Sequence, residues 1–298
     1  MKYIDLLIEF MEKIISTRLY TLLETSIREE EKYQHYRNLI SIIIGLDKPS
    51  VYKTAFLSEK YLRSIPEIRK YYELKEANYL EIHSILRKAL YDEVKILNIQ
   101  GAESLLSRIL FLLASISHIL PYAPDLSKYI LQLSNILAIP VPPKADEAKA
   151  IDLLKPGEEI DLFVGDIHSF WIIEVLTSIL NNRGYYVKLI FCLEEYETNI
   201  NYNNYKRYIQ LLGNKESIQV DFIKCSQLNS STYLGEETFI IINNLILYHI
   251  IDNIDKLHGS NIYLVFNPNN TPLQKILGSI PIVISIENLR NILLKIKT

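Results

Sequence analysis

The chain has 298 residues, 49% of them hydrophobic and 22% charged, with a formal net charge of -3. That is enough apolar material for one large or two ordinary domains and excludes a disordered chain. The near-balanced charge supplies no basic field for non-specific nucleic-acid binding, and with only 9 glycines any phosphate site must be built with little of the residue that phosphate-cradling loops use most.

From Met1 to about Leu137 apolar residues recur at helical spacing, as in Ile4, Leu7, Ile8, Met11, Ile14 and Ile15. The spacing and the intervening breakers predict helices over 2–26, 29–45, 50–62, 66–94, 101–119 and 125–137. Lys2, Asp5, Glu9, Glu12 and Lys13 interrupt the first apolar pattern, which excludes a signal-peptide core or a membrane span there. The most apolar run, Ile109 to Leu120, is too short to cross a bilayer and reads as a buried helix. A cytoplasmic protein without a membrane partner is the expectation.

Pro140, Pro142 and Pro143 then fall together, removing backbone donors and disfavouring helix. They mark a linker, so the chain divides into an all-helical domain over 1–138, a Pro-rich linker over 139–157 and an α/β domain over 158–298. Beyond the linker, "DLFVGD", "YYVKLIFC", "IQVDFIKC", "TFIIINN", "NIYLVFN" and "IPIVIS" are short β-branched runs separated mostly by helical segments. Runs such as "FIII" and "YLVF" are apolar at consecutive positions, as strands covered on both faces must be. The fold class expected is therefore α/β: a doubly wound, mostly parallel Rossmann-like sheet preceded by the helical domain.

Ligands of such sheets sit outside the carboxyl ends of the strands, near the point where strand order reverses. Those positions here are Gly165, Asp166 and His168 after the first strand, Glu194 and Glu195 after the second, and Asn243 and Asn244 after the fourth. Cys192 and Cys225 end two apolar runs and read as buried hydrophobic thiols in a reducing compartment. No CxxC or Cys/His cluster is present to suggest a metal site.

Three resemblances bear on "VGDIHS". With "LLGNKES" it resembles the first and third motifs of the metallophosphoesterases, but Lys215 brings an ammonium where that family places a metal-ligating histidine. The Asp166-x-His168 pair resembles the cobalamin-binding motif, which implies a corrinoid or tetrapyrrole sensor with His168 as metal ligand and Asp166 orienting it. Trp171, however, stands where that family has the glycine that gives the corrin's tail room.

The number and spacing of the strands resemble class I S-adenosylmethionine-dependent methyltransferases over residues 158 to about 267. That resemblance implies an adenosyl cofactor, with Gly165 in the first loop and Glu194 or Glu195 receiving the ribose hydroxyls. Of that family's Gly-x-Gly only Gly165 remains, and the tail reads as helix, strand and helix in place of its antiparallel final hairpin. A plain doubly wound sheet with a parallel sixth strand explains that tail as well.

The leading expectation is an adenosyl-cofactor-binding, methyltransferase-like protein using S-adenosylmethionine, with cobalamin the lesser alternative. Beside it stands a non-catalytic scaffold in which Asp166 or Ser169 merely caps the next helix and long amphipathic helices carry dimer or partner contacts. The substrate is not legible in the sequence.

Overall fold

A computed structural model describes residues 2–77, 113, 155–165, 167–194, 196, 219–228, 237–241, 244–256, 262–268, 271–278 and 282–297. Three N-terminal helices, α1 (Tyr3–Glu24), α2 (Glu29–Ile44) and α3 (Val51–Arg63), match the apolar spacing closely. A further helical stretch, α4, covers 66–77. The helices expected over 101–119 and 125–137 lie outside the described residues except for Leu113, which is helical and buried. The Pro-rich linker lies outside them up to residue 154.

The second half is α/β, as the strand pattern predicts. In chain order it runs β1 (Glu159–Val164), α5 (Ile167–Asn182), β2 (Tyr186–Cys192), β3 (Gln219–Ile223), a 3₁₀ turn (Cys225–Gln227), β4 (Glu237–Ile241), α6 (Asn244–Asn253), β5 (Ile262–Phe266), α7 (Gln274–Leu277), β6 (Ile282–Ser285) and α8 (Ile286–Lys297). The six strands form one sheet in the order β3-β2-β1-β4-β5-β6. All neighbours are parallel except β5 and β6, where Tyr263 pairs with Ser285 and Phe266 with Ile282 in antiparallel register. Between β1 and β4 the chain order reverses, which makes that pair the switch point.

The sixth strand thus runs opposite to the plain parallel arrangement that the sequence allowed. The reason lies in α7. A parallel return needs a crossover of a dozen or more residues, usually carried by a helix that packs across the sheet; α7 has 4 residues and is too short to do so.

Consecutive strand residues face opposite helical layers, which is why the runs carry no polar alternation. Phe163 and Ile190 join a core with Leu245, Ile250 and Ile251 of α6 and with Ile286, Leu289 and Leu293 of α8. Phe191, next in sequence, turns to the other face and meets Phe170 of α5, with ring centroids 6.3 Å apart. The turn from α5 into β2 depends on Gly184, whose φ of 85° lies in the left-handed region that L side chains avoid. Asp161 of β1, fully buried, pairs with Lys188 of the neighbouring strand at 3.1 Å.

The N-terminal helices share the sheet's core. Leu6, Phe10 and Ile14 of α1 and Val51 and Ala55 of α3 belong to the same buried cluster as Phe163 and Ile190. Phe10 meets Tyr248 of α6 edge-on at 5.7 Å, and the Tyr3 hydroxyl donates to the Ile251 carbonyl at 2.5 Å. A second cluster, Leu22, Ile27, Leu39, Leu62, Ile65, Ile68 and Tyr72, belongs to the helical region alone.

Candidate functional site

Gly165 directly follows β1 and is buried, and α5 begins two residues later. After the adjacent strand β4, α6 begins at Asn244. Because β1 and β4 are parallel neighbours, the N-termini of α5 and α6 open at the same edge of the sheet. Asp166, Glu195 and Asn243 lie outside the described residues, and for His168 and Asn244 only the helical backbone is described. The Asp166–His168 geometry on which the corrinoid reading rests therefore lies outside what is described.

Glu194 is half-buried and already engaged. Its Oε2 accepts from the backbone N–H of Cys225 at 2.8 Å, and the Tyr52 hydroxyl lies beside its carboxylate. Burial and then the adjacent Glu194 charge push the Tyr52 phenol far above its ordinary range, so it remains a donor. Tyr52 stacks on Phe56 at 6.0 Å and meets His249 edge-on at 5.3 Å. Burial, with a smaller contribution from Lys256, lowers the His249 imidazole to about 4, which keeps it neutral at ordinary pH.

Two residues further on, Tyr196 is 1% exposed and lies under Arg18 of α1, whose guanidinium carbon is 4.9 Å from the ring centroid. Arg18 pairs with Glu59 of α3 at 3.0 Å, both side chains being almost wholly buried. Glu59 also accepts from Arg63 at 2.9 Å and from the Tyr72 hydroxyl at 3.2 Å. The loop after β2 is thus held by Tyr52 and Arg18, two residues from the helical half that sequence reasoning did not single out. Nothing in a local pattern marks them, because their partners lie far along the chain.

The cysteines depart from expectation. Both are fully buried, but Cys192 and Cys225 are joined in a disulfide, with Cα atoms 5.5 Å apart. Parallel pairing sets Cys192 opposite Ile223, and Cys225 opens the 3₁₀ turn two residues beyond. The bond ties the edge strand β3 to β2 at the carboxyl end of the sheet. The sequence placed both residues at the ends of apolar runs but held no sign that these ends are neighbours. The two sulfurs and the Glu194 carboxylate have ligand atoms all within 4.8 Å of one another, a convergence that the absence of a short Cys motif had hidden.

Among the described residues no helix is long and apolar enough to cross a membrane. No family model matches the sequence, and no curated protein matches it. Among solved structures, a DUF89 family protein from Pyrococcus horikoshii is similar in fold: the TM-score is 0.62 at 8% identity, covering 91% of this chain and 96% of that chain. The expected kinship with class I methyltransferases is corrected by this likeness, which takes in nearly the whole chain and is to a different fold family. Strand number and spacing misled because many doubly wound sheets share them; at this identity the likeness concerns fold alone.

Proposed function

We propose that the chain binds a small molecule bearing an anionic group at the carboxyl edge between β1 and β4, with an adenosyl cofactor such as S-adenosylmethionine, held by its methionine carboxylate, as the leading candidate. The supporting observation is the convergence of two helix N-termini, those of α5 and α6, at the switch point of the sheet. Each N-terminus presents backbone N–H groups without intrahelical partners and the positive end of a helix dipole, and both favour an anion. Gly165 at the head of the first loop allows close approach of a ligand to the backbone.

Glu194 takes a different part from the one the strand pattern implied. With one oxygen on the Cys225 amide and Tyr52 beside the carboxylate, it shapes the rim, and ribose hydroxyls would have to displace Tyr52 to reach it. Thermal unfolding of the full chain with S-adenosylmethionine, adenosine monophosphate and inorganic phosphate tests the proposal. A ligand at 100 times its Kd stabilises by about 2.7 kcal/mol, so a rise in Tm that Gly165→Val removes is expected. The absence of any shift with all three compounds overturns the proposal.

A second reading, self-association through the helical half, has its own support. Leu19, Leu22, Leu23, Tyr33 and Tyr36 of α1 and α2 line a groove of about 410 Å³, and Leu23 and Tyr33 are 65% and 64% exposed. Light scattering on the purified chain tests it: a dimer that Leu23→Glu converts to monomer supports the reading, and a wild-type monomer at high concentration rules it out.

A further inference from the structure

We propose that Cys192, Cys225 and Glu194 form a redox-gated site for a thiophilic divalent cation, zinc being the natural member of the class: closed while the disulfide stands and open when it is reduced. The site borders the β1–β4 crevice, whose rim Glu194 shapes, but the proposal does not rest on what binds there. Three observations carry it. The three ligand groups converge, with all donor atoms within 4.8 Å of one another. Their backbones are held independently of the sulfur–sulfur bond, by the β2–β3 ladder, by the Leu193 N–H donating to the Ile223 carbonyl at 2.8 Å and by the Cys225 N–H donating to Glu194 at 2.8 Å. The site also lies one layer beneath the surface, since both cysteines are fully buried while Leu193 and Lys224 on either side are exposed and Glu194 is half-buried.

The chemistry follows from the donor set. Thiolate and carboxylate are both zinc ligands, and three protein ligands leave a fourth tetrahedral position open to water or another donor. Zn–S bonds of about 2.3 Å at the tetrahedral angle require the sulfurs to stand about 3.8 Å apart. Cα atoms 5.5 Å apart allow that separation by side-chain rotation, with the strands left in place. Opening the site consumes a dithiol reductant: the disulfide takes up two electrons and two protons to give two thiols, and the reductant is left as its own disulfide. The cation then displaces the two thiol protons as two metal–sulfur bonds form. In the cytoplasm expected from the sequence the reduced form is the one that persists.

Cobalt(II) titration of the full chain tests this, after reduction with a phosphine that does not compete for the metal. One cobalt per chain, with thiolate-to-cobalt charge-transfer absorption that zinc abolishes, is expected for the reduced protein and none for the oxidised protein. Glu194→Gln should retain the absorption with affinity at least tenfold weaker, and Cys192→Ser should lose it. In the wild type, zinc should slow alkylation of the reduced thiols by iodoacetamide, a measurement that needs no variant to fold. A reduced chain with unchanged circular dichroism but no charge-transfer band, equal cobalt affinity in the oxidised chain, undiminished affinity in Glu194→Gln, or alkylation indifferent to zinc would each overturn the proposal.

Discussion

The carboxylate of Asp252, on α6, holds Ser50 at the start of α3: the Ser50 hydroxyl donates to it at 2.6 Å, and the backbone N–H groups of Val51 and Tyr52 donate at 3.0 and 2.9 Å. Ser50 in turn accepts from Lys53 N. An anion therefore caps the helix through space, from about 200 residues along the chain, and fixes the helix that delivers Tyr52 to Glu194. Replacement of Asp252 by Ala strands the two amides in a half-buried place. The expected cost is about 1.5–3 kcal/mol, the range for hydrogen bonds to a charged acceptor, read from urea denaturation; Ser50→Ala should cost about 1 kcal/mol.

His249 makes stability depend on pH in a definite direction. Its folded pKa is about 4, below the 6.5 of the free side chain. Between those values the unfolded chain binds a proton that the folded chain refuses, so stability falls as pH drops from about 6.5 towards about 4. The full difference amounts to roughly 3 kcal/mol at 1.36 kcal/mol per pH unit. Denaturation midpoints for wild type and His249→Gln should converge at acid pH, and parallel curves down to pH 4 would remove His249 as their cause.

Glu59 is wholly buried with Arg18, Arg63 and Tyr72 around it. Its removal breaks a buried ion pair by deleting one partner, which typically costs about 3–5 kcal/mol. Glu59→Ala should reach that range in chemical denaturation, and the paired change Arg18→Met with Glu59→Leu should recover part of the loss. The same variants should raise the mobility of Tyr196, since Arg18 lies over its ring.

Reduction of the disulfide should destabilise the folded chain. Its cysteines are separated by 33 residues, for which loss of the loop constraint on the unfolded state amounts to about 3–4 kcal/mol in the chain-entropy treatment. A calorimetric Tm that falls on reduction of the metal-free protein, and does not fall in a Cys192→Ala, Cys225→Ala variant, is the expected result.

Secondary structure was largely legible because it rests on local periodicity. The spacing of Ile4, Leu7, Ile8, Met11, Ile14 and Ile15 suffices for α1 as a helix, although its buried side is that of Leu6, Phe10 and Ile14 and leaves Ile4 and Ile8 exposed; the unbroken apolar run Ile262–Phe266 suffices for a strand buried on both faces. The topological rule for parallel sheets points to the ends of β1 and β2, where Gly165 and Glu194 lie. Strand spacing did not separate one doubly wound family from another, since it reflects sheet geometry that many of them share.

What the amino-acid sequence determined by itself, then, is the alternation of strand and helix, and with it the residues that follow the strands at the carboxyl edge of the sheet. Tertiary structure alone decided that β6 turns back antiparallel, that Asp252 caps α3, that Tyr52 and Arg18 reach the loop after β2, and that Cys192 meets Cys225 beside Glu194. The physical reason is range. Periodicity and capping act over a few residues, whereas these contacts join positions brought together only by the packing of α1 and α3 against the sheet's own helices and by the parallel pairing of β2 with β3.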